Sequence, residues 1–232
     1  GGRDPVGSLW AAEVVDGHLV ERMIVDARTL VGDHADLPAA EKARRERMRE
    51  TTSGITAYSA DAALTHAAFS VDGVPFSIDV TRADATAVAL PHPGPVVDPQ
   101  LSPDGRLVSF VSDRSVYMVD VTPGAEAVAQ LLCEPDGDDQ SWGLADFVAA
   151  EELDRHRGLW WLPGSDALLI ELVDESDVET RWISDPSQPE RPPVAHRYPA
   201  AGTANPVARL FRVRIDGSRE EVLWDREAFP YL

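Results

Sequence analysis

Positive charge, cysteine and long apolar runs are all scarce in this sequence, and each scarcity excludes something. Its 232 residues carry 21 Lys and Arg against 40 Asp and Glu, a net charge of −19. Such a balance argues against nucleic acid or an anionic membrane surface as the main partner, and is compatible with a cationic ligand. It is also the ordinary surface of many acidic soluble proteins. The single cysteine, Cys133 in "AQLLCEPDG", allows no internal disulfide and suits a reducing, cytoplasmic compartment. With neither a His nor a cation nearby in sequence, it reads as a buried strand residue rather than a nucleophile. No run of about 18 apolar residues is present, and "GGRDPVG" lacks the charged-then-apolar pattern of a signal peptide. Without an initiator Met, the chain reads as a piece of something longer.

Motifs for chemistry are missing as well. There is no GxSxG elbow, no P-loop and no GxGxxG. The six His form neither HExxH nor any other ligand spacing, and the acidic residues of "EPDGDDQS" (134–141) lack the full calcium-loop pattern. No metal and no cofactor is expected. If the molecule belongs to an enzyme, the bond-breaking residues lie outside these 232 positions.

What is present is a repeat built on tight turns between strands. "LSPDGRLVSFVSDRSVYMVDV" (101–121) places Pro103, Asp104 and Gly105 in a turn, followed by a β-branched and aromatic run, a polar turn at 112–115 and a second strand. An earlier copy is "YSADAALTHAAFSVDGVPFSIDV" (58–80), with Asp61 and Asp104 43 residues apart. A degenerate copy follows at "WWLPGSDALLIELVDES" (160–176), and "LFRVRIDGSREEVLW" (210–224) reads as a hairpin with an Asp-Gly turn. Periods of about 40 residues with several strands each indicate propeller blades. The predicted fold is therefore all-β: a partial β-propeller of three to four blades, each a four-stranded antiparallel sheet.

The third copy arrives late, because Pro103 and Pro163 are 60 residues apart. The surplus falls on "GLADFVAAEELDRHRGLWW" (143–161), so 143–157 reads as a helical insertion packed on its own blade through Leu144, Phe147, Val148 and Leu153. Its tip carries Glu151 and Glu152. Neighbours on a helix point about 100° apart, yet both side chains are long enough to converge on one small cation. An ammonium satisfies two of its three donors on two carboxylates, whereas the pair without a cation repels itself. A wet helix face is the plain alternative. Trp160 and Trp161 begin a strand whose alternation sends one into the core and the other toward a cavity or the neighbouring blade. Upstream, "DLPAAEKARRERMRE" (36–50) predicts a short N-terminal helix, capped by Asp36 with Pro38 in its first turn. It holds Lys42, Arg44, Arg45, Arg47 and Arg49, and reads either as a solvated charged helix or as a cationic arm over a site. The Pro-rich stretch 184–206 predicts an extended connection across the surface.

These stretches resemble the dipeptidyl peptidase IV family of serine peptidases, in the form of its cytosolic members eight and nine. The resemblance rests on "GLADFVAAEELDRHRGLWW", "RRERMRETTSGITAY", "DESDVETRWISDP" and "HRYPAAGTANPVARLFRV", in that family's order from about residue 40 to 215. It departs at Leu159 and Trp160, where the family usually has an aromatic pair preceded by Gly. The resemblance implies that residues 1–232 are the N-terminal part of the propeller domain. Glu151 and Glu152 would then grip the free α-amino group of a peptide substrate. One of Arg45, Arg47 and Arg49 would reach a substrate carbonyl. The catalytic Ser, Asp and His would lie in a C-terminal α/β-hydrolase domain that is not in this chain, so that this piece alone would be inactive. The implied partners are peptides with a free N-terminus and that hydrolase domain, with a homodimer left open and neither nucleic acid nor membrane expected. Two alternatives stand beside this reading: a non-catalytic propeller serving as a binding or scaffold module, and an unrelated all-β ligand binder.

Overall fold

The computed structural model describes residues 5–30, 42, 53–184, 186–187, 189–190 and 192–229. The N-terminal part contains β1 (Val6–Gly7), the hairpin β2 (Leu9–Val15) and β3 (His18–Val25), and β4 (Ser53–Gly54), which pairs in parallel with β1. Most of the Arg-rich segment 36–50 lies outside the described residues, Lys42 excepted.

Three sheets follow. The first runs in the order β5 (Tyr58–Ala60), β6 (His66–Val71), β7 (Val74–Asp79), β8 (Val88–Ala89). The second is β9 (Val96–Leu101), β10 (Leu107–Ser112), β11 (Ser115–Asp120), β12 (Gln130–Cys133). Every neighbouring pair in both is antiparallel. The two-residue turns Asp72-Gly73 and Asp113-Arg114 have positive φ at both positions, the geometry whose twist matches that of the strands it joins. The partial propeller predicted from the repeat is therefore present.

The third sheet has the same four positions, but its leading position is occupied by two short strands. β13 (Gln140–Trp142) and β14 (Leu159–Trp161) both pair with β15 (Ala167–Asp174), the first against Leu172–Asp174 and the second against Leu168–Ile170. Between them stands the insertion with its helix α1 (Phe147–Glu152), which fills only the middle of the predicted helical span 143–157. An outlying hairpin pairs β16 (Thr180–Ile183), just before the Pro-rich stretch, with β17 (Val194–Arg197) inside it, and β18 (Val207–Arg214) and β19 (Arg219–Val222) complete the blade.

The cores lie between successive sheets. Ala68 and Leu90 of the first blade pack with Val96, Val108 and Phe110 of the second. Val111, Val116 and Cys133 of the second pack with Trp142, Leu159, Leu168, Ile170 and Phe211 of the third. Period-2 alternation supplies both faces, so the second blade is wedged between apolar neighbours on its two sides. Cys133 is buried as expected, and burial pushes its thiol up to about 11.

Candidate functional site

The insertion leaves the third blade and returns to it across a single residue, Glu171. The Gly143 N–H donates to the Glu171 carbonyl at 2.8 Å, and the Glu171 N–H donates to the Gly158 carbonyl at 2.8 Å. The two ends of the excursion are thus pinned side by side. Only glycine fits there. A Cβ on Gly158 would stand 2.6 Å from the Gly143 carbonyl carbon, and one on Gly143, whose φ is +75°, would meet Val111 at 2.8 Å.

Helix α1 begins because Asp146 caps it: one carboxylate oxygen accepts the N–H of Val148 at 2.8 Å and of Ala149 at 3.1 Å. It ends where Asp154 adopts a left-handed conformation with φ +54°. The Ala149 carbonyl accepts the N–H of both Leu153 and Arg155, which turns the chain back toward the sheet. Phe147 packs edge-on against Tyr198, with ring centroids 5.2 Å apart, tying α1 to the segment after β17. Leu144 packs on the core between the blades, whereas Leu153 stays 49% exposed and does not anchor the insertion as its apolar character suggests.

Arg155 closes the structure. Its guanidinium donates to both carboxylate oxygens of Glu171, at 2.5 and 2.9 Å, and to the Arg157 carbonyl at 2.8 Å. It also stands 3.5 Å from the second oxygen of Asp146. Glu171 is completely buried, with 0% exposure. Burial pushes its carboxyl above the usual range, and the hydrogen bonds and charge of Arg155 pull it part of the way back. Sequence reasoning missed all three residues of this clamp. A signal was available: Glu171 is the lone charge within the apolar run "ALLIELV".

Glu151 and Glu152 occupy the last turn of α1, and both are exposed. No basic residue of α1 shares that turn, so two carboxylates stand at the negative end of the helix, a placement that favours a cation there. Beside the insertion lies a cavity of about 370 Å³, bounded by Tyr58 and Ser70 of the first blade, Asp98 and Gln100 of the second, and Arg157 and Trp160 of the third. Its lining runs through residues 154–157 but does not include the Glu pair. Arg157 bridges the blades by donating twice to Asp98, at 2.7 and 3.0 Å. The two tryptophans part as alternation requires. Trp161 packs against the inter-blade core and donates to the Gln100 carbonyl, whereas Trp160 lines the cavity with the Arg155 guanidinium 5.8 Å from its ring centre. Arg45, Arg47 and Arg49 lie outside the described residues. Among the described residues, no group of three or more His, Cys, Asp or Glu is placed to hold a metal ion.

Residues 65–229 match the family described as "Dipeptidyl peptidase IV (DPP IV) N-terminal region". The chain belongs to the dipeptidyl peptidase IV family. Within that family it is similar to dipeptidyl peptidase 8 of Mus musculus, at 30% identity over 75% of this chain and 22% of the relative. Against dipeptidyl peptidase 8 of Homo sapiens the figures are 29%, 79% and 23%. Its fold is that of the crystal structure of Porphyromonas gingivalis dipeptidyl peptidase 4, with a TM-score of 0.63 and 22% identity, over 74% of this chain and 26% of that one. The chain thus spans about a quarter of the length of these family members.

Proposed function

We propose that this chain is the substrate-recognising propeller portion of a serine dipeptidyl aminopeptidase, in which Glu151 and Glu152 bind the α-ammonium of a peptide and so measure cleavage two residues from its N-terminus. The observation that carries the reading is a carboxylate pair at the end of a helix in an insertion whose two ends are pinned to a propeller blade. Rigid placement matters because binding energy from the peptide's terminus accelerates a reaction only if it fixes the scissile bond in place for chemistry done elsewhere. The chemistry belongs to a C-terminal α/β-hydrolase domain of the longer protein, which makes this portion inactive by itself. Membership of the dipeptidyl peptidase IV family and similarity to dipeptidyl peptidase 8 support that assignment. One of Arg45, Arg47 and Arg49 completes the site by donating to a substrate carbonyl. A cytoplasmic location accords with the one unpaired, buried cysteine. Among the described residues, no helix is long and apolar enough to cross a membrane.

The test is neutralisation of each carboxylate in the full-length protein. Glu151→Gln and Glu152→Gln each remove a charge-assisted contact and should lower kcat/KM for dipeptide release by about 10- to 100-fold. Unchanged kinetics in both variants rejects the reading.

A further inference from the structure

A buried ion pair is a poor device for stability, because desolvating both charges costs about as much as their attraction returns. Register comparison shows that the fold does not need one here. The hydrogen bonds that close the turns, Asp61 N–H to His66 carbonyl, Ser102 N–H to Leu107 carbonyl and Leu162 N–H to Ala167 carbonyl, put Ser70, Val111 and Glu171 at the same position of three successive blades. The first blade takes a hydroxyl there and the second a fully apolar side chain. Only the third takes a carboxylate, and only the third carries the insertion.

Glu171 is also where the restraints on the insertion's two ends and on Arg155 converge, beside the separate contacts of Leu144, Phe147 and Arg157. Its backbone holds both ends of the excursion, its side chain holds Arg155 after the helix, and through Arg155 it reaches Asp146, the cap before the helix. Glu151 and Glu152 lie between those two tethered residues. We infer that Glu171 is a positioning residue: through Arg155 and Asp146 it fixes the orientation of α1, and with it the point in space at which the two carboxylates meet a peptide ammonium. The inference rests on the ammonium-binding reading above. Glu171 itself, fully buried, acts through Arg155 and not by direct contact with a ligand. The clamp's shape demands a fork-shaped donor, since two parallel N–H groups of Arg155 meet two oxygens of Glu171, an arrangement lysine does not reproduce.

The experiment is a kinetic cycle in the full-length protein with a free-amine dipeptidyl substrate, using labelling of the nucleophile by a small fluorophosphonate as the control that needs no ammonium contact. Glu171→Gln keeps the side-chain shape and removes the charge. It should lower kcat/KM by about 10- to 100-fold, mostly through KM, and leave the labelling rate as it was. In a Glu151→Gln/Glu152→Gln background the same change should have almost no further effect. Arg155→Lys should lower kcat/KM much as Glu171→Gln does, because an ammonium does not reproduce the paired contact. A parallel fall in labelling rate, or a full loss that persists without the Glu pair, overturns the inference and reduces the clamp to a fold element. Should Glu171→Gln fail to fold, Asp146→Asn retains an acceptor for the helix cap while loosening Arg155. It should shift KM several-fold in the same direction, and an unchanged KM overturns the inference. The two readings fail separately. If neutralising the Glu pair is silent, the ammonium site itself is wrong; if that loss appears but Glu171→Gln is silent, only the positioning role is.

Discussion

The second and third blades are built on one plan; besides the outlying hairpin β16–β17 between its central strands, the third diverges from the second in its leading strand. In the second, the leading strand β9 pairs along β10 with a single irregularity between Ser109 and Val111, where Asp98 takes a left-handed conformation with φ +49°. In the third, the leading strand breaks at the neighbouring register position and sends out residues 143–158 before resuming. A two-residue bulge and a helical excursion are two sizes of the same event, an interruption of pairing where the partner strands still run on. The bulge and the insertion meet, since Asp98 of one receives the guanidinium of Arg157 from the other. The sheet stays intact behind the break, and the loop is held by ion pairs and backbone hydrogen bonds together with the packing of Leu144 and Phe147.

That contrast can be broken most severely at the clamp. Arg155→Ala leaves a fully buried carboxylate without its partner and should destabilise the chain by about 3–5 kcal/mol in urea unfolding. Making the third blade resemble the second tests the same point in reverse. Glu171→Val combined with Arg155→Met, which borrows the residue type of Val111, should be near neutral or stabilising while loosening α1. A large loss of stability in that double variant would show that the clamp folds the blade. Next in size is the crossing of the insertion's ends. Gly158→Ala, whose methyl meets backbone at 2.6 Å, should cost about 1–3 kcal/mol in thermal unfolding, whereas Gly137→Ala, with nothing within 4 Å, should be silent.

A smaller effect distinguishes the turns that open the blades. Asp61 and Ser102 occupy the same position and make the same two backbone contacts, to Thr65 and His66 in the first blade and to Arg106 and Leu107 in the second. Burial alone would push the Asp61 carboxyl up, but the His66 and Thr65 N–H groups and the Thr65 hydroxyl together hold it below its ordinary value of 3.8. A depressed value in the fold means stability that is present above pH 3.8 and lost as pH falls through the lower, folded value. Asp61→Ser, the residue of the second blade, should remove that acid-side slope from a plot of stability against pH, and an unaltered slope would place its origin elsewhere. Smallest of all, Cys133, with its thiol pushed up to about 11, should react with thiol reagents at neutral pH only as fast as the chain opens.

The blades were legible because their signals are local. Asp72-Gly73, Asp113-Arg114 and the turn at 103–105 set hairpin geometry within a few residues, and the spacing between copies did the rest. The Glu pair was legible for the same reason, as two adjacent letters in a segment of unusual position. The clamp was not. Asp146, Arg155 and Glu171 are separated by 9 and 16 residues and meet only because β13 and β14 flank one strand. The apolar run around Glu171 marks that position, but the partners it meets are a tertiary outcome that no window of sequence contains. The helical piece of the insertion is α1, which stops at Glu152, where the chain turns back and Arg155 meets Glu171.

In the proposed function, the carboxylate tip of α1 captures a peptide's positive end. That capture is tested most directly by giving the full-length protein one peptide in two forms, with its N-terminus free and with it acetylated. Capture predicts release of the N-terminal dipeptide from the free form and a loss of about a hundredfold or more in kcat/KM for the acetylated one. Equal cleavage of the two would contradict it.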